Sequence, residues 1–127
     1  MQVIADTSFL MIPGIFGVDI ISELGRILGR RYELLIPGPV IRELEKISKK
    51  GKPRERAAAK MGLLIAKGWK LIDDEGGADE SILKLAAKKK CPVGTADGDL
   101  RKELRKIGIP VIYLRERSYL AMEGHIE

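Results

Sequence analysis

PVGTADGDLRKELRKIGIPVIYL, residues 92–114, is the stretch that decides the fold. Pro92-Val93-Gly94-Thr95 is a short run that reads as a strand. Residues 99–107 read as a helix ended by Gly108, since glycine suits the left-handed position past a last helical turn. Val111-Ile112-Tyr113-Leu114 is then a second, fully apolar strand. A strand, a helix and another strand in immediate succession form the unit from which parallel sheets are made.

Working outward, the same alternation fills the chain. Val3-Ile4-Ala5 is an apolar run ending at Asp6. Residues 19–28 carry Ile20, Ile21, Leu24, Ile27 and Leu28 on one stripe, with Gly29 at the C-cap position. Leu34-Leu35-Ile36 is a strand stopped by Pro37. Pro39 opens a helix through residue 50, because proline suits the first helical turn. Pro53 opens another that ends near Gly68, and Trp69-Lys70-Leu71-Ile72 is a strand. Asp79 starts a helix running to about Lys90. The strands are continuous apolar runs, so the sequence predicts a parallel sheet covered by helices on both faces.

Composition narrows the class. The 127 residues suit a single domain, residues 1–127. The longest apolar runs are far too short to span a membrane. The opening Met1-Gln2-Val3-Ile4-Ala5-Asp6 lacks the basic start and cleavage site of a signal peptide. Cys91 is the only cysteine, which excludes an internal disulfide and a cysteine zinc site. These features predict a cytoplasmic protein. Net charge is +5, with 23 Lys and Arg against 18 Asp and Glu, and basic residues cluster at Lys46–Arg56, at Lys88-Lys89-Lys90 and at Arg101–Lys106. Such clusters are either solvated helix faces or a phosphate-attracting surface. The chain has no Asn and one Gln, a bias that recurs in proteins of hot environments.

In a parallel sheet, ligands bind beyond the carboxyl ends of the strands, where strand order reverses. Several chemistries are excluded there. Asp6-Thr7-Ser8-Phe9 lacks the glycines of a dinucleotide or P-loop site. His125 is the only histidine, too near the end for a serine or cysteine triad. Asp97-Gly98-Asp99 faintly resembles a calcium loop, but its twelfth position would be Gly108 instead of Glu. Acids do stand at the right places. Asp6 ends the first strand, with no helix cap to make. Glu43 lies early in the helix after the second, although periodicity does not separate it from Glu45. Asp79 heads the helix after the third strand, and Asp97 and Asp99 follow the fourth. Asp79 and Asp99 also read as N-caps, and Asp97 as a turn residue. Together, four acids at corresponding positions would converge on one end of the sheet. Such carboxylates repel one another unless a cation sits among them. Oxygen ligands without His or Cys select Mg²⁺ or Mn²⁺, and the matching chemistry is phosphoryl transfer to water.

At this point the chain resembles the PIN-domain ribonuclease family, along nearly its whole length. Val3-Ile4-Ala5-Asp6-Thr7-Ser8 is similar to the family's first motif, and Pro39-Val40-Ile41-Arg42-Glu43-Leu44 to its second, which favours Glu43 over Glu45. Gly77-Ala78-Asp79-Glu80-Ser81-Ile82 is similar to the third. Thr95-Ala96-Asp97-Gly98-Asp99-Leu100 followed by Gly108-Ile109-Pro110-Val111 is similar to the fourth. The resemblance implies a three-layer α/β/α fold with five parallel strands in the order 3-2-1-4-5. It implies an endoribonuclease using Mg²⁺ or Mn²⁺, with Asp6, Glu43, Asp79 and Asp97 as catalytic acids. Asp6, Asp97 and Asp99 would hold the main metal, and Glu43 and Asp79 would complete the site. Thr7 and Thr95 would orient carboxylates or water. Gly98 makes the fourth motif unusually pliable, which leaves open whether Asp99 ligates or only caps. Lys88, Lys89 and Lys90 are candidates for RNA binding.

Two roles within the family compete. Small proteins of this length resemble the VapC toxin of a toxin–antitoxin pair, which implies a small antitoxin protein as partner and a homodimer. Residues 118–127, a C-terminal extension able to add a strand, resemble the end of archaeal PIN proteins akin to ribosomal-RNA-processing nucleases. A reading of another class is an RNA-binding module without catalysis, against which the presence of all four motif acids argues.

Overall fold

In the computed structural model, which describes residues 1–126, every strand expected from an apolar run forms. The elements are β1 (Gln2–Ala5), α1 (Thr7–Leu10), α2 (Ile12–Phe16), α3 (Ile20–Leu28), β2 (Glu33–Pro37), α4 (Gly38–Lys50) and α5 (Pro53–Ala66). They continue with β3 (Lys70–Ile72), α6 (Ala78–Lys89), β4 (Val93–Gly94), α7 (Gly98–Lys106), β5 (Val111–Arg115) and β6 (Tyr119–Glu123). The sheet runs β3-β2-β1-β4-β5-β6. Neighbouring pairs from β3 to β5 are parallel and β5 pairs β6 antiparallel. The expectation of five strands is therefore corrected to six. The C-terminal extension adds the last one by hairpin; Glu127, its final residue, lies outside the described residues. Antiparallel pairing is what a short connection permits, whereas a parallel neighbour needs a crossover.

Hydrophobic burial explains the order of the strands. Val3, Ile4 and Ala5 on β1, Leu34 and Leu35 on β2, Val93 on β4 and Val111 and Ile112 on β5 are all fully buried. Strands with no wet face need helices on both sides, as the continuous apolar runs require. Helices α1, α2, α4 and α5 pack on one another, while α3 packs on β6 and α7 on β5. Asp19 caps α3 by accepting from the backbone N–H groups of Ile21 and Ser22, both at 3.1 Å. Gly29 ends it at φ 61°.

Two features differ from the sequence reading and bear on the site. The stretch after β1 is helical, as α1 and α2, where the sequence reading placed no helix. Gly94 on β4 shows how tightly α1 is seated, since a Cβ there would lie 2.8 Å from the Phe9 ring. The second feature is the β5–β6 turn. Ser118 N–H donates to Arg115 O at 3.1 Å, and Glu116 and Arg117 take φ of 53° and 57°. Such turns favour Asn or Gly at both central positions. A left-handed side-chain-bearing residue costs about 1–2 kcal/mol, so Glu and Arg are held there at a cost.

Candidate active site

Strand order reverses between β1 and β4: from β1 the chain goes to β2 and β3 on one side, then returns to β4 and β5 on the other. The carboxyl ends of these two central strands deliver Asp6 and Thr95. Asp6, Thr7, Ser81 and Thr95 are the polar side chains buried among the described residues, and three of the four meet at this point. That concentration marks the site, because a buried polar group is costly unless it is hydrogen-bonded.

The bonds are made. Asp6 Oδ2 accepts from Thr95 Oγ1 at 2.7 Å and Ser8 Oγ at 2.9 Å, and its Oδ1 accepts from Thr7 N–H at 2.7 Å. The Thr95 hydroxyl oxygen also accepts from Asp97 N–H at 3.0 Å, and that of Ser8 from Ala96 N–H at 2.9 Å. The two hydroxyls lie 3.2 Å apart. A closed network thus ties the end of β1 to the β4–α7 loop, and Asp6 has an Oδ1 lone pair to spare. Thr7 Oγ1 donates to Glu43 Oε1 at 2.5 Å, which brings α4 into the site and separates Glu43 from Glu45. Glu45 instead lines an apolar groove with Leu64, Trp69 and Leu71.

The capping expectations need correction. Asp6 does cap a helix, the short α1, through Thr7 N–H. Asp97, read as a turn residue, is the N-cap of α7: its Oδ1 accepts from Asp99 N–H at 2.9 Å and Leu100 N–H at 3.3 Å. Asp99 sits in the first turn of α7 and Gly77 is the N-cap of α6, so neither Asp99 nor Asp79 caps. Both stand where a carboxylate is favoured by the helix dipole. Asp99 and Asp79 are exposed.

Electrostatics shows which acids share a field. Burial pushes the Asp6 carboxyl above its ordinary 3.8, hydrogen bonds from Thr95, Ser8 and Thr7 pull it back, and the charge of Glu43 adds to the rise. Burial also raises Asp79, followed by the charges of Asp6, Asp97 and Glu103. Glu103 and Ser8 are the participants that the sequence reading missed. Glu103 could have been found as the residue one turn beyond Asp99 on the same helix face. Lys88, Lys89 and Lys90 are not brought to the acids. They lie at the far end of α6, roughly 15 Å along its axis from Asp79.

Could this set hold a metal ion? The donors are hard oxygens, which suits Mg²⁺ or Mn²⁺, and the acids raise one another's pKa, as a cation would relieve. Among the described residues no three acids, histidines or cysteines stand close enough to surround an ion. The chemistry of the set fits the ion, and the acids expected to converge do gather at one end of the sheet.

The raised carboxyls make a prediction about stability. A folded-state pKa above the unfolded one means that the folded chain binds more protons, so acidification favours it. Glu23, held at about 2 by Arg26 and the Leu120 N–H, works the other way only below its ordinary 4.5. In chelator, the melting temperature should therefore rise as the pH is lowered from neutrality toward the raised carboxyls, until Glu23 and the likewise lowered Asp74 begin to protonate. The rise should shrink in Asp6→Asn. An identical slope in that variant would show that the buried carboxylate carries no such load.

Comparison with known proteins agrees with this architecture. A PIN like domain profile matches residues 3–117. Ribonuclease VapC4 of Methanocaldococcus jannaschii is 30% identical over 129 residues, with 98% of each chain covered. Ribonuclease VapC9 of Archaeoglobus fulgidus is 30% identical over 120 residues, covering 94% of this chain and 87% of that one. Among solved structures, the PIN domain endonuclease Utp24 superposes with a TM-score of 0.79 at 27% identity, covering 99% and 93% of the two chains. With strand order, site position and these likenesses in agreement, the chain belongs to the PIN-domain ribonuclease family.

Proposed function

We propose that the chain is a Mg²⁺- or Mn²⁺-dependent endoribonuclease of the VapC toxin type. The observation that carries the reading is the hydroxyl network binding Asp6 to the Asp97 loop at the sheet's switch point, with Glu43 hung from Thr7 and Asp79 in the same field. An uncommitted acid patch would not be locked by the buried Thr95 hydroxyl just past β4 and the half-buried Ser8 hydroxyl on α1. Asp6, Asp97, Glu43 and Asp79 would hold the ion, with exposed Asp99 at the rim. When bound, the ion supplies a water of lowered pKa and neutralises charge on the phosphate. The chain's own part is orientation. Ser8 and Thr95 fix the Asp6 carboxylate, and Thr95 also fixes the backbone that presents Asp97. Thr7 holds Glu43 across the cleft. RNA is the substrate in this reading, and a small antitoxin protein and a second copy of the chain are its partners. The end-to-end similarity to two ribonucleases named VapC supports it.

RNA maturation is the second reading. It is favoured by the extension that builds β6, through its resemblance to the end of archaeal RNA-processing PIN proteins. Expression in a bacterial host separates the two. A toxin should arrest growth as wild type but not as Asp6→Asn, with host RNA cut. Tolerated expression, with cleavage confined to a ribosomal RNA precursor in vitro, would transfer the assignment to maturation.

A further inference from the structure

Beside the acids lies a cleft of about 300 Å³, between the end of α2, the start of α7 and the β5–β6 turn. Asp97 and Thr95 form its inner wall, and Phe16, Arg101, Tyr113, Glu116 and Arg117 the rest that matters here. We propose that this cleft receives the base of the nucleotide next to the scissile phosphate, and that Glu116 with Arg117 selects guanine. The proposal rests on the nuclease reading and deepens it.

The size of the cleft is the first argument. It stands at the lower end of small-molecule sites, which run from about 300 to 1,000 Å³, and so suits a base better than a whole nucleotide. A base seated against Thr95 and Asp97 leaves its phosphate at the acids. The lining supplies stacking surfaces. The Arg101 guanidinium lies 3.6 Å from the centroid of Tyr113, with its Nε donating to Glu123 at 3.1 Å. Arg101 thus lies over the Tyr113 ring and is anchored by Glu123, which leaves its outer face for a base, and Phe16 adds an aromatic side chain left 38% exposed. Unpaired bases stack on such aromatic rings and guanidinium planes.

Glu116 and Arg117 provide the reading heads. Guanine carries two donors in a row, N1–H and N2–H, and two acceptors in a row, O6 and N7. A carboxylate accepts from the first pair and a guanidinium donates to the second. Adenine, cytosine and uracil lack this double match. Turn chemistry does not account for these two residues, because both are left-handed where Gly or Asn would relieve strain. Neither is in an ion pair among the described residues, and both are exposed at the rim. Their charged groups are free to meet a ligand.

Two measurements on the full chain test the proposal. One is titration with 5′-GMP, AMP, CMP and UMP with Mg²⁺ present, followed by amide shifts around Tyr113. The other maps cuts in a randomised RNA with Mn²⁺ present. GMP should bind at least about tenfold tighter than the other three, in line with one good bidentate contact. Cuts should share a guanine at one fixed position beside the broken bond. Glu116→Gln, with its melting temperature kept, should erase the GMP advantage and spread cutting over all four bases. Equal binding of the four nucleotides, or a GMP preference untouched in Glu116→Gln, overturns the proposal. If RNA is cut with no base fixed beside the bond, the nuclease reading stands and the guanine cleft falls. If GMP is selected through Glu116 but no RNA is cut, the cleft stands and the nuclease reading falls.

Discussion

Asp6→Asn and Asp97→Asn should each cut RNA hydrolysis by at least about 10²-fold, and EDTA should abolish it in the wild type, as loss of a metal-holding carboxylate demands. The structure makes these substitutions clean. An Asn at position 6 keeps an oxygen for Thr7 N–H, while its amide faces the Ser8 and Thr95 hydroxyls, which can turn to accept. Asn is as good an N-cap as Asp, so α7 keeps its start at position 97. Glu45→Gln is the control, because that side chain faces the apolar groove, and should leave the rate unchanged. Rates measured on purified variants with a labelled single-stranded RNA decide the matter. Equal cleavage by wild type and Asp6→Asn would end the proposed mechanism, and no cleavage by any form would favour a binding module.

Thr95→Val should lower activity by about 10- to 100-fold, the usual cost of losing a group that orients a metal-holding side chain. Thr95 is 1% exposed, and valine fills the same volume. What vanishes is a hydroxyl that donates to Asp6 and accepts from Asp97 N–H. Leaving a buried polar group short of its partner costs about 1–3 kcal/mol, so the melting temperature should fall too. Thr95→Ser restores the hydroxyl and should recover most of both. Steady-state rates and melting curves for the three proteins check this; full activity in Thr95→Val would reduce the network to scaffolding.

The strands were legible because burial on both faces leaves a run of apolar residues that needs no partner to be recognised. Leu34-Leu35-Ile36 and Val111–Leu114 are examples. The long helices were legible through stripe and punctuation, as at residues 19–29. The short helices α1 and α2 were not, since four or five residues complete hardly more than one turn and show no period. Their absence from the reading hid the capping role of Asp6. Spacing placed five acids near one end of the sheet, yet not how far apart they stand, because that depends on side-chain torsions. Ser8 escaped because its role arises from contact with Thr95 and Ala96, far away in the chain. Glu43 and Glu45 were separable only once Thr7 was seen to reach one of them.

The strand order also sets when the candidate site can assemble during synthesis. β1 lies at the centre of the sheet, between β2 and β4. A ribosome makes β1 early, and its second neighbour only after some ninety residues. Domains made this way close late, because distant pairing must wait for the distant segment. Asp6 and Ser8 therefore leave the tunnel long before Thr95 and Asp97 exist to meet them. An emerging chain surrounded by ribosomal and messenger RNA has no assembled site until the segment that carries Thr95 and Asp97 has been translated. The topology itself delays the hazard.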